Sequence, residues 1–135
     1  CALPLYFCKQ AAEIAAGMRE PVMRVGNLSA VRDFTDVRDV MRAYSLLALH
    51  GKAGETYNVG SGRAISIQEI LERIIRLSGV AITVEVDPAK LRPVEVPVIQ
   101  ADIAKLQADT GWMPEIPLEQ TIRETLDYWR STAEN

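Results

Sequence analysis

The stretch ETYNVGSGRAISIQEI, Glu55 to Ile70, decides how the chain is read, because it runs from a β-rich segment through two glycines into a helical pattern. Loops that bind phosphate often have this outline. A Walker loop needs Gly, four residues, then Gly-Lys-Ser/Thr; GSGRAIS lacks that spacing, and the nearby GKAGET has Ala53 where the hydroxyl belongs. A dinucleotide fingerprint needs a third glycine at the helix start, where Ala64, Ile65 and Ser66 stand instead. What remains is SIQE, in which Ser66 caps the helix and Glu69 reaches back to the backbone N–H of the cap. The glycines are read as a turn from strand to helix, with Arg63 leaving open an anion contact at the helix entrance.

Working outward, helices and strands alternate. LYFCKQAAEIAAG carries apolar residues at helical spacing (Phe7, Ala11, Ile14) and stops at Gly17; PVMRVG reads as a short strand. RDFTDVRDVMRAYSLLALHG reads as a turn into a helix with Asp36 as N-cap, Gly51 as stop, and Val37, Val40, Met41, Tyr44, Leu47 and Ala48 as its inward stripe. ETYNVG is a strand, and the helix after it points Ile67, Ile70, Leu71, Ile74 and Leu77 inward. VAITVEV is a further strand, Pro88 to Pro97 is irregular, and ADIAKLQADTG is a short helix capped by Asp102. PLEQTIRETLDYWR is a final helix burying Leu118, Ile122, Leu126 and Trp129. The alternation predicts an α/β fold over residues 1–135 as one domain.

Composition removes several function classes. With 135 residues and 48% hydrophobic content the chain can bury a core, and 15 basic against 18 acidic residues give no polyanion-binding surface, so nucleic acid is not expected as a partner. No apolar run approaches the roughly 18 residues of a membrane span, and CALPLYFC lacks the basic opening of a secretory signal. The expected location is the cytoplasm. Cys1 and Cys8, without clustered His, make neither a metal site nor a disulfide framework and are read as reduced thiols.

Catalytic constellations are sparse. His50 ends a helix beside Gly51, where a partly cationic ring offsets the dipole. None of Tyr6, Tyr44, Tyr57 and Tyr128 is followed four residues later by lysine, so the tyrosine–lysine pair of short-chain dehydrogenases is missing. Glu69 with Arg73 and Glu72 with Arg76 form i,i+4 pairs on a polar face. Two arginines stand apart: Arg32 precedes the aromatic-bearing turn of VRDFTDVRDV, and Arg92 sits in KLRPVEVPV with Glu95 three residues on. A guanidinium fork suits the oxygens of a diphosphate, and a carboxylate can accept both hydroxyls of a ribose. On spacing alone, surface pairing of Arg32 with Asp33 or Asp36, and of Arg92 with Glu95, stays open.

Taken together, VGNLSAVRDFTDVRDVMRAY, GETYNVGSGRAISIQEIL and DPAKLRPVEVPVIQADIAKLQADTGWMPEIPLEQTIRETLDYW resemble the carboxyl-terminal part of extended short-chain dehydrogenases acting on nucleotide sugars. The likeness is greatest to the GDP-4-keto-6-deoxy-mannose reductases and the GDP-mannose 4,6-dehydratases. The resemblance implies a small substrate-binding subdomain of an NAD(P)-binding Rossmann-fold enzyme, without the cofactor loop, corresponding to about the last 40 to 45% of a parent of roughly 300 residues. It assigns Arg32 and Arg92 to the diphosphate and Glu95 to the ribose, and no catalytic or metal-ligating residue to this chain. NAD(P) would be held by the parent and none by this piece, which alone would be inactive. The implied partners are a GDP-sugar and the missing Rossmann half, and exposure of the face toward that half would favour homo-oligomers. The implied parent reaction is reduction of GDP-4-keto-6-deoxy-mannose to GDP-rhamnose. The alternatives are a UDP- or dTDP-sugar epimerase or dehydratase piece and a self-standing, non-catalytic nucleotide- or protein-binding domain.

Overall fold

A computed structural model describes residues 3–91 and 96–133. The elements are α1 (Leu3–Ala15), β1 (Val22–Val25), β2 (Val31–Asp33), α2 (Val37–His50), β3 (Ala64–Ser66), α3 (Ile67–Ser78), β4 (Thr83–Val86), a 3₁₀ turn (Pro88–Lys90), β5 (Val98–Ile99), α4 (Ala104–Thr110) and α5 (Leu118–Ala133). They fall into two compact units: Cys1–Ala30 with Ser66–Pro97 and Glu119–Asn135, and Val31–Ile65 with Val98–Leu118.

In the first unit α1 packs on α3, and β1 pairs in parallel with β4 so that Val22 lies beside Thr83 and Val25 beside Val86. Most of the expected stripes are buried: Phe7, Ala11 and Ile14 on α1, Ile67, Ile70, Leu71 and Ile74 on α3, Ile122 and Leu126 on α5, whereas Leu77, Leu118 and Trp129, also expected inside, are half-buried. Each fully buried aliphatic side chain contributes about 1.5–3 kcal/mol, so these three periodic faces dominate the unit's stability. Ser66 caps α3 by accepting from the Glu69 N–H (3.1 Å). Glu69 does not reach back; its carboxylate takes Arg73 at 2.6 Å. Glu72 accepts from Gln68, and Arg76 crosses to Glu119 at 3.6 Å, so the anticipated Glu72–Arg76 pair is replaced by a bridge between helices. Arg130 of α5 donates to Ser78 O (2.9 Å) at the carbonyl end of α3, where a cation is favourable.

The second unit holds a three-stranded sheet in the order β3-β2-β5, with β2 and β5 parallel. Strands of two or three residues carry no alternation signal, and β2 and β5 were not anticipated. Asp36 caps α2 as expected, accepting from the Arg38 N–H at 2.9 Å. Asp102 accepts from the Ala104 N–H (3.0 Å), although Ile103 is the residue at the N-cap of α4.

Two expectations are overturned here. The anticipated strand ETYNVG forms no ladder among the described residues; Tyr57 and Val59 pack on Ala43, Leu106 and Trp112, while the Tyr57 hydroxyl and the Asn58 amide bond to Asp109 and to Asp102 O. Side chains anchor the segment where backbone pairing was expected. The inward face of α2 is also different: Asp39 and Ala43 are buried, whereas Val37 (69%), Met41 (55%) and Tyr44 (56%) are exposed. Trp112 fills the space against Ala43, and only a small residue leaves room for it.

Enlarging Ala43, which has no exposed surface, should therefore cost more than trimming Met41. Ala43→Met is expected to destabilise by about 2 kcal/mol and Met41→Ala by less than about 0.5 kcal/mol in urea denaturation.

Candidate functional site

The glycine turn is occupied by Asp33, at the end of β2. Its carboxylate accepts from the Ser61 N–H (2.7 Å), the Ser61 hydroxyl (2.6 Å), the Gly62 N–H (2.9 Å) and the Ala101 N–H (3.2 Å). The turn is thus an anion cradle, and the anion is a side chain of the same protein. Gly62 adopts φ +71°, the left-handed region, which aims its N–H at Asp33. Gly60 is required by proximity: a Cβ there would lie 2.5 Å from the Ala101 Cβ and 2.9 Å from Asp33 Oδ2.

The start of α3 is likewise occupied. The Ile67 and Gln68 N–H groups donate to Ala30 O (2.9 Å) and Leu28 O (3.1 Å), and the Glu69 N–H to Ser66. With its donors used and a carboxylate already inside it, the GSG turn does not fit the pyrophosphate of a nicotinamide dinucleotide. Arg63, exposed beside this turn, has no cradle to complete.

Of the three residues assigned to a nucleotide diphosphate, Arg32 is described; Arg92 and Glu95 lie outside the described residues. Arg32 is half-buried on β2, the middle strand of its sheet, and its guanidinium donates to Val31 O at 2.7 Å. The two carboxylates weighed as its surface partners also bind other groups. Asp33 holds the glycine turn, and Asp36 receives the Arg38 fork at 2.9 Å from both Nε and Nη2.

A second buried carboxylate was not singled out in the sequence. Asp39 on α2 accepts from the Glu115 and Ile116 N–H groups (3.1 and 3.0 Å) and from Arg42 (2.7 Å), while the Trp112 indole donates to its carbonyl. Burial pushes its carboxyl up, but the Ile116 N–H, Arg42 and the Glu115 N–H more than reverse this and hold it below its ordinary value. No sequence signal connects Asp39 with a loop more than seventy residues away. Exposed Lys52 and half-buried Tyr57 and Asp109 form a further cluster, with both Lys52 Nζ and the Tyr57 hydroxyl 2.7 Å from the Asp109 carboxylate. Hydrogen bonds from Lys52 and Tyr57 lower the Asp109 pKa, and the bond to Asp109 raises that of Lys52. This is a clamp rather than a tyrosine–lysine acid, because the hydroxyl is committed to Asp109 and to the Lys52 N–H.

Cys8 is a buried free thiol whose pKa burial raises to about 12, leaving no reactive thiolate; Cys1 lies outside the described residues. Among the described residues, no group of His, Cys, Asp and Glu is placed to hold a metal, and no helix is long and apolar enough to cross a membrane.

Comparison with known proteins shows the family. The family model described as GDP-mannose 4,6 dehydratase matches residues 5–125. The chain is 37% identical to the GDP-6-deoxy-D-mannose reductase of Pseudomonas aeruginosa over 91% of its own length and 40% of that protein's. It is 28% identical to the dTDP-glucose 4,6-dehydratase of Haemophilus influenzae, over 84% and 37%. Among solved structures, RMD from Pseudomonas aeruginosa complexed with NADPH superposes with a TM-score of 0.92 at 34% identity, covering 96% of this chain and 43% of that one. The chain thus spans about 40% of the length of the curated relatives it matches.

Two outcomes test this geometry. Gly60→Ala should destabilise by about 2 kcal/mol, because neither Asp33 nor Ala101 can withdraw without breaking the cradle; thermal melts read it. On acidification, Asp39 binds fewer protons folded than unfolded, so its stabilisation is complete above about pH 3.9, the unfolded value, and is lost as pH falls through its lower folded pKa. Denaturation midpoints at pH 7, 4 and 3 should fall for the wild type, and Asp39→Ala, costing about 3 kcal/mol at pH 7, should flatten that dependence.

Proposed function

The chain belongs to the GDP-mannose 4,6 dehydratase family, and on that footing we propose that residues 1–135 bind the nucleotide sugar for an NAD(P)-dependent enzyme whose cofactor loop and acid–base pair reside elsewhere. Arg32 and Arg92 bind the diphosphate, and Glu95 accepts from the ribose hydroxyls. The parent reaction is reduction of a 4-keto group, GDP-4-keto-6-deoxy-mannose giving GDP-rhamnose by hydride addition at C4 and protonation of the oxygen. This chain supplies grip and orientation, which convert binding free energy into alignment of the sugar with the hydride donor.

One observation carries the reading. Arg32 is a half-buried cation on the middle strand of a sheet, while its neighbour Asp33, facing the opposite way along the strand, ties that strand to the glycine turn. A guanidinium on so constrained a strand loses little freedom when it meets phosphate oxygens. Choice of a GDP-sugar rests on the 37% identity to the reductase against 28% to the dTDP-glucose dehydratase and 26% to a rice UDP-glucose 4-epimerase.

Titration with GDP and GMP at low and high salt tests it. GDP should bind more tightly than GMP and weaken with salt, since the second phosphate adds charge for the arginines to meet. Arg32→Ala is expected to lose about 10-fold or more in GDP affinity while GMP binding changes little. Equal affinity of the wild type for the two nucleotides would sink the proposal.

A further inference from the structure

We infer that Lys90 is a positioning residue: within the first unit it holds the chain leaving β4 against the chain leaving β1, and so sets the entry to the segment that carries Arg92. The inference rests on the reading above in taking Arg92 as a diphosphate contact; the hold itself involves only residues 24–26 and 87–91.

β1 and β4 run parallel, so both strands end on the same side, and parallel sheets bind ligands beyond the carboxyl ends of their strands. Past those ends the two chains stay joined. The Asp87 N–H donates to Val25 O (2.8 Å), which carries the pairing one step beyond the ladder. The Asp87 carboxylate accepts from the Ala89 N–H (3.0 Å), while the Lys90 and Leu91 N–H groups donate to Asp87 O (2.9 Å) and Pro88 O (3.2 Å). These bonds close a 3₁₀ turn that Pro88 starts with its fixed φ.

Lys90 is where this turn comes back to β1. Its ammonium donates to Arg24 O at 2.9 Å, a charge-assisted bond to the backbone of the other strand, whereas Asp87 Oδ2 stands farther off, at 4.0 Å. The Lys90 carbonyl lies against Gly26, where a Cβ would strike Lys90 O and stand 3.1 Å from Lys90 C. The φ of Gly26 is not positive, so proximity alone requires glycine there. Lys90 thus touches the end of β1 twice, by its side chain at Arg24 and by its main chain at Gly26. Leu91 follows with its own N–H bonded, and Arg92 is the next residue. A segment held at its entry has less freedom to lose when a ligand arrives, which raises affinity without adding a contact.

Wild type, Lys90→Leu and Lys90→Arg are compared by amide exchange without nucleotide, and by titration with GDP and GMP at low and high salt. In Lys90→Leu the Asp87 and Ala89 amides should exchange at least about 5-fold faster while Ile70 and Leu71 of α3 stay unchanged, a local release with the fold intact. GDP affinity should fall about 5-fold at both salt concentrations with GMP affinity little changed, and Lys90→Arg, which keeps a charged donor, should stay within about 2-fold of the wild type. Unchanged exchange overturns the inference. Faster exchange with undiminished GDP binding also overturns it, by making the hold merely structural. So does a loss of GDP affinity that vanishes at high salt, since Lys90 would then act on the nucleotide through its charge. Equal binding of GDP and GMP by the wild type sinks the reading above and leaves exchange to decide whether Lys90 holds the turn.

Discussion

The Asp33 carboxylate is the constraint on which the second unit depends. It gathers Ser61, Gly62 and Ala101 onto the end of β2 across 28 to 68 residues of chain. Hydrogen bonds to a carboxylate are worth more than neutral ones, and five donors, the Thr35 hydroxyl included, leave little of its capacity unused. The glycines follow from it: Gly60 because a side chain would strike Asp33, Gly62 because its N–H must turn inward. Arg32, adjacent on the same strand, inherits a fixed backbone. Of the RD pair, the acid builds the strand's surroundings, and the base is the member proposed above for the diphosphate.

Asp39 performs the corresponding task at the other side of α2. A buried carboxylate there would be a liability if unpaired, yet two backbone N–H groups and Arg42 satisfy it and tie the Pro114–Pro117 loop to the helix. Trp112 closes the space beside it, its indole donating to Asp39 O. The small core of Ala43, Leu106 and Trp112 is therefore bounded by polar contacts of defined geometry. Such a core specifies one arrangement more strictly than apolar contact alone.

The two units differ in how complete they are. In the first, the helices bury most of the stripe their sequence presents, and the ends of α3 are closed by Ser66, by the Leu28 and Ala30 carbonyls, and by Arg130. In the second, Val37, Met41 and Tyr44 of α2 are exposed, and Thr56 O is met by a side chain, Lys105, instead of a strand.

Much was legible from sequence. The helical faces of α1, α3 and α5, the caps at Asp36 and Ser66, and the rejection of GSG as a cofactor loop followed from residue order, because amphipathic period, capping and loop spacing are local properties of the chain. The tertiary structure decided what depends on chain return: that Asp33 fills the glycine turn, that Asp39 seats a distant loop, and that Ala43 rather than Met41 faces inward. A helix with apolar residues on two sides has no intrinsic inside. Packing chooses it, as the side on which Trp112 fits against a methyl group, and the strand-like ETYNVG stays without a ladder because a strand is completed only by a neighbour.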